Sequence, residues 1–134
     1  MVSEGVSIQI NNLYFSYINE VGIKVRTVYD NFNLKIKPGS IVALIGPSGS
    51  GKSTLFNIFT KLEEPEMGTV LIDGLEVNDL TFKDIQRMIS YVTQDVYLFK
   101  GTFRDNLRYG NQHYDNSDER LRECLEMTNA LEFV

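Results

Sequence analysis

The chain has 134 residues, of which 43% are hydrophobic and 23% charged; these values are ordinary for one globular domain and exclude a fibrous or disordered protein. Thirteen basic and eighteen acidic side chains give a net charge of −5 without a basic cluster, so we expect no nucleic-acid partner. No run of about 18 apolar residues occurs, so we expect a soluble chain that meets a membrane only through a partner.

The first part of the chain has the pattern of antiparallel strands. Residues 6–17 alternate apolar and polar side chains, and the apolar phase shifts after Ile10, which predicts a strand with a bulge near Asn12. Residues 32–36 alternate before the Pro38-Gly39 turn and predict a half-buried strand. The segment 19–27 between them is predicted to be a polar connection.

The next segment predicts a strand followed by a helix. Residues 41–45 are apolar at every position, which is typical of a parallel strand covered on both faces. Glycines follow, and then apolar residues recur at helical spacing, which predicts a helix from Lys52 to about Leu62.

Shorter elements are predicted along the rest of the chain. Residues 69–72 and the Asp73-Gly74 turn indicate another strand pair, and residues 89–93 indicate a further strand. Thr81 with Asp84 predicts a capped helix start. Asn116 and Glu119 have the spacing of a capping box and predict the start of a final helix. One face of this helix would consist of Leu121, Cys124, Leu125 and Thr128.

The chemistry of the sequence lies in a match to the phosphate-binding loop (P-loop) pattern G-x-x-x-x-G-K-[ST]. Glycines let consecutive amide groups turn inward around an anion, Lys52 adds a full positive charge, and Ser53 offers a hydroxyl to magnesium. The residues expected to bind ATP in this loop are Gly46, Pro47, Ser48, Gly49, Ser50, Gly51, Lys52, Ser53 and Thr54. We therefore predict an α/β fold with a P-loop-type parallel sheet and an antiparallel β subdomain.

A glycine-rich turn without a ligand is the alternative interpretation of this loop. The buried strand predicted before it and the amphipathic helix predicted after it favour a phosphate site. A P-loop alone indicates only a superfamily of nucleotide-binding proteins. The absence of an Asn-Lys-x-Asp tetrapeptide counts against a GTPase.

Several separated segments together resemble the ATP-binding domain of ABC transporters, in the same order. Residues 13–17 are similar to the segment that contacts adenine in that family, with Tyr17 as the stacking aromatic. Residues 37–55 resemble the family's strand and P-loop, and residues 91–95 resemble its Q-loop, with Gln94 as the matching glutamine. Residues 98–107 resemble the exporter-type members.

The resemblance implies that residues 1–134 are the N-terminal part of one ATP-binding domain. It implies ATP and Mg²⁺ as cofactors, with Ser53 and Gln94 as magnesium ligands and Tyr17 against the base. It also implies two partners, the transmembrane domain of an exporter and a second nucleotide-binding domain, and a place at the cytoplasmic face of a membrane. ATP binding and hydrolysis in the complete domain would drive substrate transport.

Some functional elements of the family have no match in this sequence. The signature motif, the Walker B aspartate with its glutamate, and the switch histidine are not found. Asp73 follows an apolar run but precedes Gly74, so we interpret it as a turn residue. His113 lies in a polar segment and is expected to be solvated. We therefore expect this polypeptide alone to bind nucleotide with negligible turnover, and whether it is an enzyme stays open.

Two other functions stay open from the sequence. One is a stand-alone nucleotide-binding or regulatory module that uses the same loop without hydrolysis. The other, a DNA-repair ATPase of the same family, is disfavoured by the exporter-like segment and the acidic charge.

Overall fold

The computed structural model describes residues 5–110 and 115–134, which divide into two compact units after Tyr91. The first unit contains the antiparallel sheet and the loop expected to bind phosphate. The second contains two short helices. His113, expected to be a solvated loop residue, lies outside the described residues.

The first unit is built on an antiparallel sheet of four strands in the order β2-β1-β3-β4. Their bounds are β1 Ile8–Ile18, β2 Lys24–Ile36, β3 Met67–Ile72 and β4 Leu75–Glu76. The antiparallel part of the predicted fold is therefore confirmed, as is the turn at Asp73 and Gly74.

The strand β2 begins earlier than the sequence indicated. Lys24 pairs with Ile18 and Arg26 with Tyr17, so the predicted polar connection up to Thr27 is wrong in its last part. Polar side chains on an exposed hairpin do not interrupt pairing, because the ladder is made by backbone groups. This extension brings Arg26 into the sheet.

The predicted bulge in β1 is confirmed at Asn12, whose φ is 48°. The register shifts there against both neighbouring strands, between Ile10 and Leu13 on one side and between Asn11 and Tyr14 on the other. An extra residue in a strand returns the next apolar residues to the buried face. Ile10 and Leu13 consequently both lie in the core.

The core of the first unit forms where helix α1 (Lys52–Phe59) packs on the sheet. Leu55 and Ile58 on the helix are buried together with Ile10, Leu13 and Ile72 on the strands. Their removal from water supplies most of the driving force that fixes α1 against the sheet. Since Lys52 is the first residue of α1, the core also fixes the end of the glycine loop.

Helix α2 (Phe82–Met88) starts with the capping box that the sequence predicted. The Thr81 hydroxyl accepts from the Asp84 amide at 3.2 Å, and the Asp84 carboxylate accepts from the Thr81 amide at 3.1 Å. The hydrogen bond from the Thr81 side chain, followed by the bond from its backbone amide, lowers the pKa of Asp84. Ile85 then anchors α2 in the core.

The structure differs from the prediction of a parallel strand at residues 41–45. These residues form no strand, and no two strands of the described residues run parallel. Val42 and Leu44 line an apolar cavity of about 370 Å³ between the sheet and α1, whereas Ile41 and Ile45 are fully or almost fully exposed. The side chains thus alternate as in a strand, but a strand also needs a neighbour that pairs with its backbone.

The prediction of a strand at residues 89–93 is also wrong. Ile89 ends α2 and packs against the core, and the residues after it have no regular structure. The same reason applies, because no strand of the described segments pairs with them.

The second unit contains α3 (Phe103–Arg108) and α4 (Asp118–Met127), followed by a 3₁₀ turn at Leu131–Phe133. Asp118 ties the two helices together, since its carboxylate lies 2.9 Å from Arg104 and 3.1 Å from Arg108. Within residues 5–110 and 115–134, no helix is both long and apolar enough to cross a bilayer.

The predicted start of α4 was wrong by one residue. Ser117, not Asn116, is the N-cap, and its hydroxyl accepts from the Arg120 amide at 3.3 Å. Leu121 is buried and Cys124 and Leu125 are half-buried, as the predicted apolar face required, but Thr128 at the helix end is exposed. Serine and asparagine cap helices about equally well, so residue type could not separate these neighbours, and the capping-box spacing to Glu119 favoured the wrong one.

The contact between Gly68 and the bulge yields a stability prediction. A Cβ at Gly68 would collide with the Asn12 carbonyl oxygen and stand 2.7 Å from that of Asn11, at a φ of 98°. Gly74 has a φ of 78° with no atom within 4 Å of such a Cβ. Both substitutions to alanine incur the left-handed penalty of about 1–2 kcal/mol, and Gly68→Ala adds about 1–3 kcal/mol from the clash. Urea unfolding measures both, and equal losses would contradict this packing.

The capping box of α2 yields a prediction about pH. Because the folded-state pKa of Asp84 is lowered from 3.8, its stabilising effect is complete above pH 3.8 and is lost as the pH falls through the folded-state value. Carbon-detected NMR titration of the Asp84 carboxyl should give a midpoint below 3.8, and Thr81→Ala should raise it. A midpoint at or above 3.8 would show that the box does not form in solution.

Candidate functional site

The loop before α1 has the backbone angles that only glycine adopts easily. Gly49 has a φ of 78° and Gly51 a φ of 100°, both in the left-handed region that favours glycine. Between them the Ser50 amide donates to the Pro47 carbonyl at 3.2 Å and closes a turn. Gly51 is the N-cap of α1. The chain therefore reverses tightly and enters the helix without a spacer.

Lys52 curls back over this loop. Its ammonium donates to the carbonyl oxygens of Gly46 and Pro47, each at 2.7 Å, and lies 3.4 Å from the Ser50 hydroxyl. The side chain is half-buried, so it is accessible to a ligand. One positive charge is thus held next to the carbonyl groups at the start of the turn.

The start of α1 adds a second source of positive potential. The first amides of a helix have no carbonyl partner within it, and the aligned peptide dipoles place partial positive charge at this end. Ser53 lies in this first turn with its side chain exposed. Loop, ammonium and helix end together form an arrangement suited to an anion with several oxygens.

The structure places Tyr17 beside this loop. Its hydroxyl lies 2.9 Å from the Oγ1 of Thr54, and its ring stands perpendicular to that of Phe15 with centroids 5.1 Å apart. The residue keeps 38% of its surface exposed. A partly exposed ring that is held in place can stack with a flat ligand.

Two side chains of β2 that the sequence reasoning missed also contact the loop. The Arg26 guanidinium donates to the Gly49 carbonyl, and the Tyr29 hydroxyl donates to the Gly51 carbonyl at 2.8 Å. Burial, and to a lesser degree Tyr17, raises the pKa of Tyr29, so its hydroxyl stays protonated and able to donate. No local pattern marks these residues, because their role depends on where β2 passes the loop.

The two expected magnesium ligands lie in different units. Ser53 is in the first unit, whereas Gln94 lies exposed at a bend in the second. Among the described residues, no three acidic, histidine or cysteine side chains form a group that could hold a metal. The role of Ser53 and Gln94 at a metal ion therefore stays a prediction.

The family model and the relatives that match this chain all describe ATP-dependent or ABC-type transport proteins. Residues 29–133 match the family model described as ABC transporter. An ATP-dependent lipid A-core flippase of Ralstonia nicotianae is 43% identical over 102 residues, 75% of this chain and 17% of that protein. An ABC multidrug transporter of Emericella nidulans is 35% identical over 134 residues, 95% of this chain and 10% of that protein.

A third relative is a putative ABC transporter ATP-binding protein of Mycoplasma genitalium, 34% identical over 128 residues. The match covers 96% of this chain and 20% of that protein. The chain thus spans about a fifth or less of the length of these relatives.

The Tyr17–Thr54 contact yields a prediction for the site without ligand. Tyr17→Phe keeps the ring and removes a partly buried hydrogen bond, so the free energy of unfolding should fall by about 1 kcal/mol. Tyr14→Phe removes a hydroxyl from the same strand without touching the Thr54 bond and serves as the matched control. Chemical unfolding measures both variants. A loss no larger than that of the control would show that Tyr17 does not hold Thr54 in solution.

Proposed function

The chain belongs to the ABC transporter family, and from this premise we propose that it is the leading part of an ATP-binding domain that binds ATP with magnesium through residues 46–54. In the complete protein, ATP binding and hydrolysis would drive transport of a substrate across a membrane. The observation that carries the proposal is the turn at residues 46–51, closed over by Lys52 and continuous with α1.

The triphosphate is the part of ATP that this loop suits best. An ammonium has three donors, and two of those of Lys52 already bind carbonyls of the loop. The third is directed at the Ser50 hydroxyl across 3.4 Å, a weak contact that a phosphate oxygen can replace. Hydrogen bonds to charged groups contribute about 1.5–3 kcal/mol each, so Lys52 dominates the contribution of single side chains.

The adenine base is assigned to Tyr17. Stacking of a base on an aromatic ring contributes about 1–3 kcal/mol in nucleic-acid complexes. The contact between the Tyr17 hydroxyl and Thr54 keeps the ring next to the phosphate loop, so base and phosphates would be held by neighbouring groups.

Magnesium is assigned to the hydroxyl oxygen of Ser53 and the amide oxygen of Gln94. Both are hard oxygen donors, which Mg²⁺ prefers, and this ion keeps several waters and takes few protein ligands. When bound, magnesium neutralises charge on the phosphate oxygens.

The finer architecture and the partners complete the proposal. We assign residues 41–45 to a central parallel strand of the complete domain, because they lead into the loop and their exposed face, Ile41 and Ile45, is as apolar as the face that lines the cavity. Relatives named as a flippase and a multidrug transporter support a transmembrane partner domain, a second nucleotide-binding domain and a position at the cytoplasmic face of a membrane.

Calorimetric titration with Mg-ATP tests this function. We expect saturable binding, and Lys52→Ala should weaken it by about 10- to 100-fold, since one charge-assisted contact is lost. Lys35→Ala removes an exposed lysine of β2 and should leave the affinity unchanged. The proposal fails if the folded protein takes up no Mg-ATP, or if both lysine variants bind it equally.

A further inference from the structure

The phosphate loop is anchored to β2 through its carbonyl groups. Arg26 binds the Gly49 carbonyl and Tyr29 binds the Gly51 carbonyl. The approach is close: a Cβ at Gly51 would stand 2.5 Å from Cγ1 of Val28 and 3.1 Å from the Tyr29 hydroxyl. Gly51 therefore lies in close contact with β2, and its carbonyl group points towards that strand.

The orientation of a carbonyl sets the orientation of the amide that follows. The peptide group is planar and trans, so the C=O of one residue and the N–H of the next point in opposite directions. With the Gly51 carbonyl held by Tyr29 at 2.8 Å and by the Leu55 amide at 3.0 Å, the Lys52 amide points away from β2. This amide is one of those at the helix start without a partner in the helix.

The Gly49 carbonyl belongs to the peptide group that carries the Ser50 amide. That amide donates to Pro47 at 3.2 Å and closes the turn. Glycine adopts positive and negative φ with similar ease, so contacts from outside the loop add to the local hydrogen bonds in keeping the peptide groups next to Gly49 and Gly51 in one orientation. The two β2 side chains make these contacts and act as anchors.

We propose that Arg26 and Tyr29 are positioning residues for phosphate binding: by holding the Gly49 and Gly51 carbonyls they keep the turn closed and direct the Lys52 amide towards the phosphates of the nucleotide. This inference rests on the proposed ATP binding. Neither side chain is assigned a contact with the ligand. Tyr29 carries the larger effect because its contact is buried, whereas Arg26 is exposed.

Two probes separate this role from a contact with the base. Mg-ATP carries base and phosphates, whereas inorganic triphosphate with magnesium carries phosphates alone. A residue that positions the loop affects both, and a residue that stacks on the base affects only ATP. The chain of residues 1–134 is titrated with each probe by calorimetry at a temperature where thermal unfolding shows every variant to be folded.

Tyr29→Phe removes only the hydroxyl and keeps the ring, which packs on Phe32 with centroids 4.9 Å apart. We expect about a 3- to 10-fold loss of affinity for both probes, as one hydrogen bond predicts. Tyr17→Ala removes the ring assigned to the base and should weaken Mg-ATP more than triphosphate. If Tyr29→Phe lowers the melting temperature but leaves the affinity for both probes unchanged, Tyr29 has a purely structural role and the inference is overturned.

Arg26→Met tests the second anchor, with Lys24→Met as its matched control. Both remove one positive charge from β2, but Lys24 pairs with Glu66 at 2.5 Å instead of the loop. We expect about a two- to fivefold loss for Arg26→Met with both probes and no change for Lys24→Met. Equal losses would indicate a long-range charge effect and contradict the anchor.

The wild-type titrations distinguish the two levels of the proposal. A wild-type protein without Mg-ATP binding would overturn the proposed function together with this inference. Wild-type binding with unaffected Arg26 and Tyr29 variants would overturn the inference alone.

Discussion

The carbonyl groups of the loop before α1 are held by side chains on several sides, and the site depends on these contacts. Lys52 binds the first two carbonyls of the loop, and Arg26 and Tyr29 bind two later ones. An exposed glycine-rich turn has many conformations of similar energy, and ordering it costs about 1–2 kcal/mol per residue. Contacts made before a ligand arrives offset part of that cost, so less of the binding energy is spent on ordering.

The position of α1 connects the core to this loop. Leu55 and Ile58 are buried against the sheet, three and six residues after Lys52 in the same helix. A helix fixed by its apolar side cannot rotate without exposing that side, so its first turn keeps one direction. The net charge of −5 does not prevent anion binding here, because the oriented amides and one ammonium act at short range while distant charges are screened by salt.

Much of this fold could be predicted from the sequence where the signal is local. The alternation around Asn12 predicted both the strand and its bulge, and the apolar spacing after Lys52 predicted α1. The capping pair at Thr81 located α2. The equivalent pair at Thr102 caps α3 in the same way, with a Thr-Phe-basic-Asp sequence in both places, so the same signal locates α3.

The remainder depends on tertiary context that a local pattern does not contain. Residues 41–45 have the composition of a buried parallel strand, yet composition cannot supply the strand that pairs with them. Arg26 and Tyr29 contact the loop because β2 runs beside it. Arg26 belongs to β2 only because the hairpin of β1 and β2 is longer than the polar segment 19–27 indicated. The loop, Lys52 and Tyr17 of the candidate site could be named from the sequence, whereas Arg26 and Tyr29 could not.

The central claim is that the amides at the start of α1 receive the phosphates, and amide NMR tests it most directly. On addition of Mg-ATP, the amide signals of residues 49–52 should move far more than those of the β3–β4 turn at Asp73 and Gly74. Inorganic triphosphate should move the same loop signals. If the protein binds Mg-ATP but the amide signals of residues 49–52 do not move, the account is contradicted.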